Sequence, residues 1–270
     1  MQLRVRHETV YRYDDAATMI VQALRLWPAM NPAQRVGPWQ VQVDGRRIAP
    51  STLDGFGNPV ATHAIDRDVH CARVLVEGLI DTEDCNGVYG APDEWLPPAF
   101  YLAPTALTAP SEAIAAFARP ACGDGSELER LHRLMLAVRE RVDYLPNLTD
   151  AETLAGDAFD AGAGVCQDHA HILIAAARSV EFPARYVSGY LCPLDDSPAA
   201  SHAWAEVFVS GLGWVGFDAA NRQSPNAHYV RIACGRDYRD AAPLRGVRLG
   251  GRVETMHVEV AVSTGAGSAQ

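Results

Sequence analysis

Cys166 stands in the run Gly164-Val165-Cys166-Gln167-Asp168-His169-Ala170-His171, and two later runs carry the partners a thiol needs. Ser201-His202-Ala203-Trp204-Ala205-Glu206-Val207 supplies a histidine, and Gly213-Trp214-Val215-Gly216-Phe217-Asp218 an aspartate. A thiol attacks an acyl carbon as its thiolate, so it needs a base for its proton and surroundings that favour an anion. An imidazole meets the first need, and a carboxylate on its far nitrogen fixes the tautomer that faces the thiol. In this order the three are candidates for nucleophile (Cys166), general base and acid (His202) and orienting group (Asp218).

The elements that must position them follow from pattern. Residues 170–177 are apolar nearly all round, which predicts a helix buried on most faces, and Pro183 ends it. Gly164 allows a sharp entry into that helix without a Cβ in the way. Cys166 then lies at the helix N-terminus, where the dipole and a neighbouring imidazolium both favour thiolate over thiol. From 202 to 209 the chain alternates, with His202, Trp204, Glu206 and Phe208 on one face and Ala203, Ala205, Val207 and Val209 on the other, so a strand is predicted. Ser210-Gly211-Leu212-Gly213 predicts a turn and 214–218 the returning strand. A hairpin centred near Leu212 sets Asp218 opposite residues 204–206, one diagonal step from His202. The chain's other cysteines, Cys71, Cys85, Cys122, Cys192 and Cys234, form no CxxC pair and read as small buried hydrophobes, not as a disulfide framework.

These segments, in this order, resemble the transglutaminase-like superfamily of papain-like fold, in particular its bacterial branch with a dedicated N-terminal β domain. The resemblance runs over almost the whole chain. It takes in Gln22-Ala23-Leu24-Arg25-Leu26-Trp27-Pro28, Asp54-Gly55-Phe56-Gly57-Asn58-Pro59, Val142-Asp143-Tyr144-Leu145-Pro146 and the Cys166 run. It continues through Pro183-Ala184-Arg185-Tyr186-Val187-Ser188-Gly189-Tyr190, the His202 and Asp218 runs, and Cys234-Gly235-Arg236-Asp237-Tyr238. The resemblance implies that Cys166 is the nucleophile, His202 the base and acid, and Asp218 the orienting group. Two positions depart from the family pattern: Asp218-Ala219-Ala220-Asn221 stands where Asp-Pro-Thr-Asn is commoner, and His169 where an aromatic such as Phe is commoner. Both bear on substrate fit more than on chemistry.

Acyl transfer through a tetrahedral intermediate also needs oxyanion donors, and the Cys166 backbone N–H is one. Tyr144, in the segment that resembles the family's aromatic-Tyr-x-Pro pattern, is a candidate for the second, with Gln167 as its rival. His169, three residues after Cys166 on nearly the same helical face, and Trp204, on the His202 face, are further candidates for the cleft. Cys166, His169, His171, His202 and Asp218 are also types that zinc accepts. On a helix, however, His169 and His171 point about 200° apart and cannot both face one ion with Cys166. Animal members of the superfamily that cross-link proteins need calcium, but no Asp-rich EF-type loop occurs here. No metal and no cofactor are expected.

The 270 residues are 48% hydrophobic, as in an ordinary globular protein. A net charge of −10, from 23 basic and 33 acidic residues, argues against nucleic acid or an anionic membrane as partner. Arg222, Arg231, Arg236, Arg239, Arg245, Arg248 and Arg252 gather near the C-terminus, read as charges flanking loops and strands. Charges in Met1-Gln2-Leu3-Arg4-Val5-Arg6-His7-Glu8 break any secretory apolar run, and no stretch is apolar for long enough to span a membrane. With its unpaired cysteines the chain is expected to be cytoplasmic. A peptide or protein substrate is the expected partner, and a homo-oligomer stays open.

Residues 1–88 read as short strands broken by Pro and by Asp-Gly or Gly-Asn turns, for which a small β-sandwich is the economical fold. Residues 89–125 read as a Pro-rich linker that could equally lie across the next domain. The catalytic domain is expected over 126–262. It opens on the capping box Ser126-Glu127-Leu128-Glu129 and a helix through Leu131, Leu134, Met135, Val138 and Val142. A loop over 145–164 leads to Cys166, two more strands are expected at 228–234 and 253–262, and 263–270 form a tail. The fold class is α+β, a papain-like, transglutaminase-like catalytic core preceded by a small all-β sandwich.

Three functions remain. The first is a cysteine peptidase or amidase whose thioester is resolved by water. The second is an acyltransferase that passes the acyl group to an amine, and the third a non-catalytic binding protein that keeps the fold. Small bacterial relatives are often hydrolases of peptide or isopeptide bonds, so hydrolysis ranks first.

Overall fold

The computed structural model describes residues 1–91, 94–194 and 200–265. The alternating run that opens the chain is a single long strand, β1 (Gln2–Leu24), followed by β2 (Gln34–Val43), β3 (Arg46–Ile48), β4 (Thr52–Leu53), β5 (Pro59–Ile65) and β6 (Val69–Thr82). The first half of β1 pairs with β6 and the second half with β5, and the register breaks between Arg12 and Ala17. β1 thus passes from one half of the sheet to the other. Val41, Val43, Val74 and Val76 of one half pack against Leu24 and Ala61 of the other, closing the expected sandwich over an apolar core.

The second layer system begins with β7 (Val88–Gly90), then α1 (Glu112–Cys122), α2 (Glu127–Arg141), β8 (Asp143–Tyr144), α3 (Ala155–Ala161), β9 (Ala163–Gly164) and α4 (Cys166–Ser179). β10 (Ala184–Leu191), β11 (Ala200–Val209), β12 (Gly213–Phe217), β13 (Tyr229–Gly235) and the single turn α5 (Tyr238–Ala241) complete it. The sheet order is β13-β10-β11-β12-β7, all antiparallel. Helices α1, α2 and α3 pack around α4, which also lies on β11 and β10. Every residue of α4 from Asp168 to Arg178 is buried, the consequence of an apolar stretch with no polar face. α2 begins with the expected Ser126–Glu129 capping box.

Four expectations are corrected. The strand expected at 253–262 is β15 (Glu254–Thr264). With β14 (Leu244–Gly250) it pairs with β1, so residues 244–264 belong to the N-terminal sheet and not to the core read over 126–262. Ser263 and Thr264 continue that strand, and 266–270 of the expected tail lie outside the described residues. The segment 89–125 is not a free linker. It contains α1, and β7 begins the same stretch as the edge strand of the core sheet. The loop 145–164 carries α3 and ends in β9, which runs parallel to β8 and sets Tyr144 beside Gly164.

Two side chains join the halves of the molecule. The Gln34 amide bonds both the N–H and the C=O of Arg231, and the Asn58 amide does the same at Cys234, so the outer edge of β13 is capped by side chains instead of a strand. Asn58 is held in turn by Asp54. Buried Arg178, in the last turn of α4, donates to the Tyr101 carbonyl at 2.8 Å, the Thr108 hydroxyl at 2.6 Å and the carbonyls of Ala184 and Arg236 at 2.8 and 2.9 Å. A cation at a helix C-terminus is favoured by the dipole, and here it ties the Pro-rich segment to the core. Arg178→Met leaves those acceptors buried and unpaired, and should lower stability by about 3 kcal/mol. Denaturant unfolding should show this as a lower midpoint at unchanged slope, whereas an unchanged midpoint would mean that the segment is not held through Arg178.

Candidate active site

Cys166 is the first residue of α4 and is half-buried. Its entry is fixed from behind by Asp168, a buried carboxylate whose Oδ2 accepts from the Val165 N–H at 2.7 Å and the Thr149 hydroxyl at 2.6 Å. A negative group in the first helical turn is favoured by the dipole. Gly164 makes this possible through close approach, since a Cβ there would lie 2.6–2.8 Å from the Asp168 side chain. The N–H groups of the first helical turn have no partner within the helix, which leaves donors at the thiol.

His202, near the start of β11, lines the same cleft as that thiol. Its Nε2 lies 2.6 Å from Asp218 Oδ2, so Nδ1 is the nitrogen left for Cys166. Burial opposes charge on this imidazole. The Asp218 carboxylate, aided by Cys166, overrides that and raises the His202 pKa to about 10. Asp218 is itself buried, and burial would raise its pKa, but His202, Tyr229 and Asn221 hold it below the usual carboxylate range. The Tyr229 hydroxyl donates to Oδ2 at 2.7 Å, the Asn221 amide to Oδ2 at 2.7 Å and the Asn221 N–H to Oδ1 at 3.2 Å. Gln223 supports Tyr229 at 2.8 Å.

The hairpin register pairs Ala205 with Phe217, so Asp218 follows opposite Trp204, as the spacing predicts. Along β11 the alternate face carries His202, Trp204 and Glu206. Trp204 is buried and stacks on the imidazole at 6.2 Å, so it backs His202 and does not line the cleft as expected. Gly189 makes room for it, since a Cβ there would lie 2.8 Å from the indole. Glu206 is bonded by Arg185 at 2.6 Å and Arg231 at 2.8 Å. Burial alone would raise its pKa, and the two guanidiniums bring it to about 2. Arg231 is thus committed inside the core, and Arg236, Arg239, Arg248 and Arg252 pair with Asp240, Glu152, Glu254 and Asp15. Five of the seven C-terminal arginines thus face a carboxylate, while Arg245 bonds the Arg239 carbonyl.

The other candidates separate. Tyr144 is partly exposed on the rim beside Cys166, and burial with the Cys166 and Asp218 charges raises its pKa. The Gln167 amide points to the carbonyls of Asp150 and Ala151, 3.4 and 3.3 Å away. His169 is fully buried, packed at 6.1 Å from Tyr144, with its ring nitrogens 2.9 Å from the Val165 carbonyl and 3.0 Å from the Val142 carbonyl. It packs and does not line the cleft. His171 accepts from the Tyr238 N–H on the far side of the helix.

Asn221, Tyr229 and Thr149 were not singled out by the sequence. The Asn of the departing Asp218-Ala219-Ala220-Asn221 segment was the available signal for the first. The cleft itself, about 310 Å³, is lined by Cys166 and His202 together with residues of β1, β14 and β15, among them His7, Thr9, Leu244 and Val258. No helix among the described residues is long and apolar enough to cross a membrane.

Comparison with known proteins bears on the family and the fold. Residues 115–219 match the transglutaminase-like superfamily, and residues 3–81 match the bacterial transglutaminase-like N-terminal region. The chain is 28% identical to the uncharacterised protein ML0607 of Mycobacterium leprae, over 97% of this chain and 98% of that one. It is 29% identical to the uncharacterised protein Rv2569c of Mycobacterium tuberculosis, over 90% and 86%. Among solved structures, the "Putative Cysteine Protease from Cytophaga hutchinsonii" aligns with a TM-score of 0.77 at 23% identity, covering 99% of this chain and 92% of that one, which shows a shared fold.

The His202–Asp218 pair makes stability depend on pH in a stated direction. Below the ordinary value of 6.5 both folded and unfolded chains carry the proton. As pH rises toward about 10 only the folded chain retains it, so the contribution is progressively lost. The denaturation midpoint should fall between pH 7 and 10, and fall distinctly less in His202→Gln. Equal slopes in the two proteins would contradict the raised pKa.

Proposed function

The chain is a member of the transglutaminase-like superfamily with a bacterial transglutaminase-like N-terminal region, and on that premise we propose that it is a thiol-dependent acyl hydrolase acting on peptide, isopeptide or amide bonds. The observation that carries this reading is the thiol at a helix N-terminus, lining one cleft with an imidazole that a buried carboxylate holds at 2.6 Å.

In this reading the proton already rests on His202 Nδ1, as the raised His202 pKa requires, and the Cys166 thiolate paired with that imidazolium attacks the acyl carbon, forming the C–S bond. The carbonyl electrons move to oxygen, where the helix-start N–H groups receive them, with the Tyr144 hydroxyl as the second candidate donor. Collapse breaks the C–N bond while the imidazolium gives its proton to the departing amine, leaving a thioester. Water then attacks with His202 taking its proton, and the tetrahedral intermediate expels the Cys166 thiolate and releases the acid. Asp218 stays ionised throughout and stabilises the imidazolium.

Resolution by water, and not by an amine, is supported by the open rim. Tyr144, Leu145 and Leu148 are exposed, so little excludes solvent. An amine competing with ~55 M water needs an effective molarity that only a shaped, dry site supplies. A peptide amide should therefore release acid and ammonia, with little incorporation of a dansylated amine at millimolar concentration. Amine incorporation that outpaces hydrolysis would make the protein an acyltransferase instead.

Brief iodoacetamide treatment at pH 7 should label Cys166 first. Cys71 is exposed but has no imidazole partner, and Cys122, Cys192 and Cys234 are buried. Faster labelling of Cys71 would remove the basis of the reading. His202→Ala should cut hydrolysis by at least ~10²-fold through loss of the base, whereas Asp218→Asn should cost less, since an amide can still orient the ring. Equal losses would give Asp218 a role beyond orientation. Activity should survive EDTA, and its loss would revive the metal reading.

A further inference from the structure

The cleft is not built by the core alone. β1 sends alternate residues His7, Thr9 and Tyr11 into the cavity that Cys166 and His202 line, and Tyr190 of β10 meets them there. His7 Nδ1 lies 2.8 Å from the Tyr190 hydroxyl, and its Nε2 lies 3.0 Å from the Thr9 hydroxyl. All three side chains are more than nine-tenths buried. Burial lowers the His7 pKa to about 4, so at neutral pH the ring carries one N–H and one lone pair.

Proton counting then fixes what this chain offers. One hydroxyl donates to the ring and the other accepts from it. The accepting hydroxyl keeps its own proton, and neither hydroxyl has another partner among the described residues. In either tautomer one buried O–H is left to donate within the cavity, at a cost of about 1–3 kcal/mol if nothing accepts it. Around it stand Ile232, Pro243, Leu244, Met256 and Val258, and apart from His202, whose charge Asp218 already balances, no Asp, Glu, Lys or Arg lines the cavity among the described residues. Such a site holds an apolar body with one acceptor and disfavours an unpaired charge.

Resting on the acyl-hydrolase reading, we propose that the Thr9–His7–Tyr190 chain is the acyl-recognition element of the cleft. It selects uncharged acyl groups that present a hydrogen-bond acceptor, and the N-terminal region is thereby part of the substrate site.

The test uses the full chain and N-acetyl chloromethyl ketones that alkylate Cys166. Their side chains are O-methylserine, norvaline, aspartate and lysine, and iodoacetamide serves as control. The first two are near-isosteres that differ by an ether oxygen. The O-methylserine reagent should inactivate about fivefold faster than norvaline, the worth of one hydrogen bond, and about tenfold faster than either charged reagent. In the double variant Thr9→Val/Tyr190→Phe the first ratio should fall to near one while the iodoacetamide rate stays within twofold. Equal rates for all four reagents on the unaltered protein would overturn the proposal, whatever the variant's folding. A preserved ratio in a variant with a normal iodoacetamide rate would overturn it too. Failure of the hydrolase reading looks different, since iodoacetamide would then show no preference for Cys166.

Discussion

The site depends on one buried contact, the 2.6 Å bond between His202 and Asp218. Two groups that are charged together must be desolvated together, and attraction across a short distance repays this only when the remaining lone pairs are satisfied. Tyr229 and Asn221 provide that satisfaction at the carboxylate, and Trp204 closes the space behind the imidazole. The surrounding strands can be understood as the means of holding this pair in register. β11 and β12 bring the two residues to one end of a hairpin, and four residues further on Glu206 ties β11 to β10 through Arg185 and to β13 through Arg231. A one-residue slip would move His202 to the face that packs on the helices.

The second constraint is the long strand β1. Because it spans both halves of the N-terminal sheet and pairs with the returning C-terminal strands, the two ends of the chain share one sheet. The same strand reaches the cleft with His7, Thr9 and Tyr11. Apolar residues of the two parts, Leu3, Val5, Ile80 and Val262 on one side and the core helices and strands on the other, form a single cluster. The N-terminal region is therefore built into the wall of the cleft and shares one apolar cluster with the core.

Much of this was legible in the residues. The apolar stretch after Cys166 pointed to a buried helix, the alternation from His202 to Val209 to a strand, and the short turn after Val209 to a hairpin that brings Asp218 to His202 if its register is even, which it is. Local chemistry also gave the Ser126 capping box. Long-range pairing was what the sequence did not disclose. That residues 244–264 return to β1 depends on partners more than 200 positions away, and alternation names a strand without naming its neighbour. The Pro-rich segment misled for a related reason. Its prolines exclude long helices locally, but the bonds that dock it come from Arg178, far along the chain. Trp204 and His169 show the limit of face arguments, since sharing a face with a site residue does not distinguish lining a cleft from backing it.

The central claim is that Cys166 carries the acyl group in a covalent intermediate that water resolves. Acid quenching within the first turnovers of p-nitrophenyl acetate, followed by peptide mass spectrometry, tests it most directly. The account predicts an acetyl group on the Cys166 peptide of the unaltered protein and none on Cys166→Ala. An acetyl group on a different residue, or turnover with Cys166 absent, would contradict it.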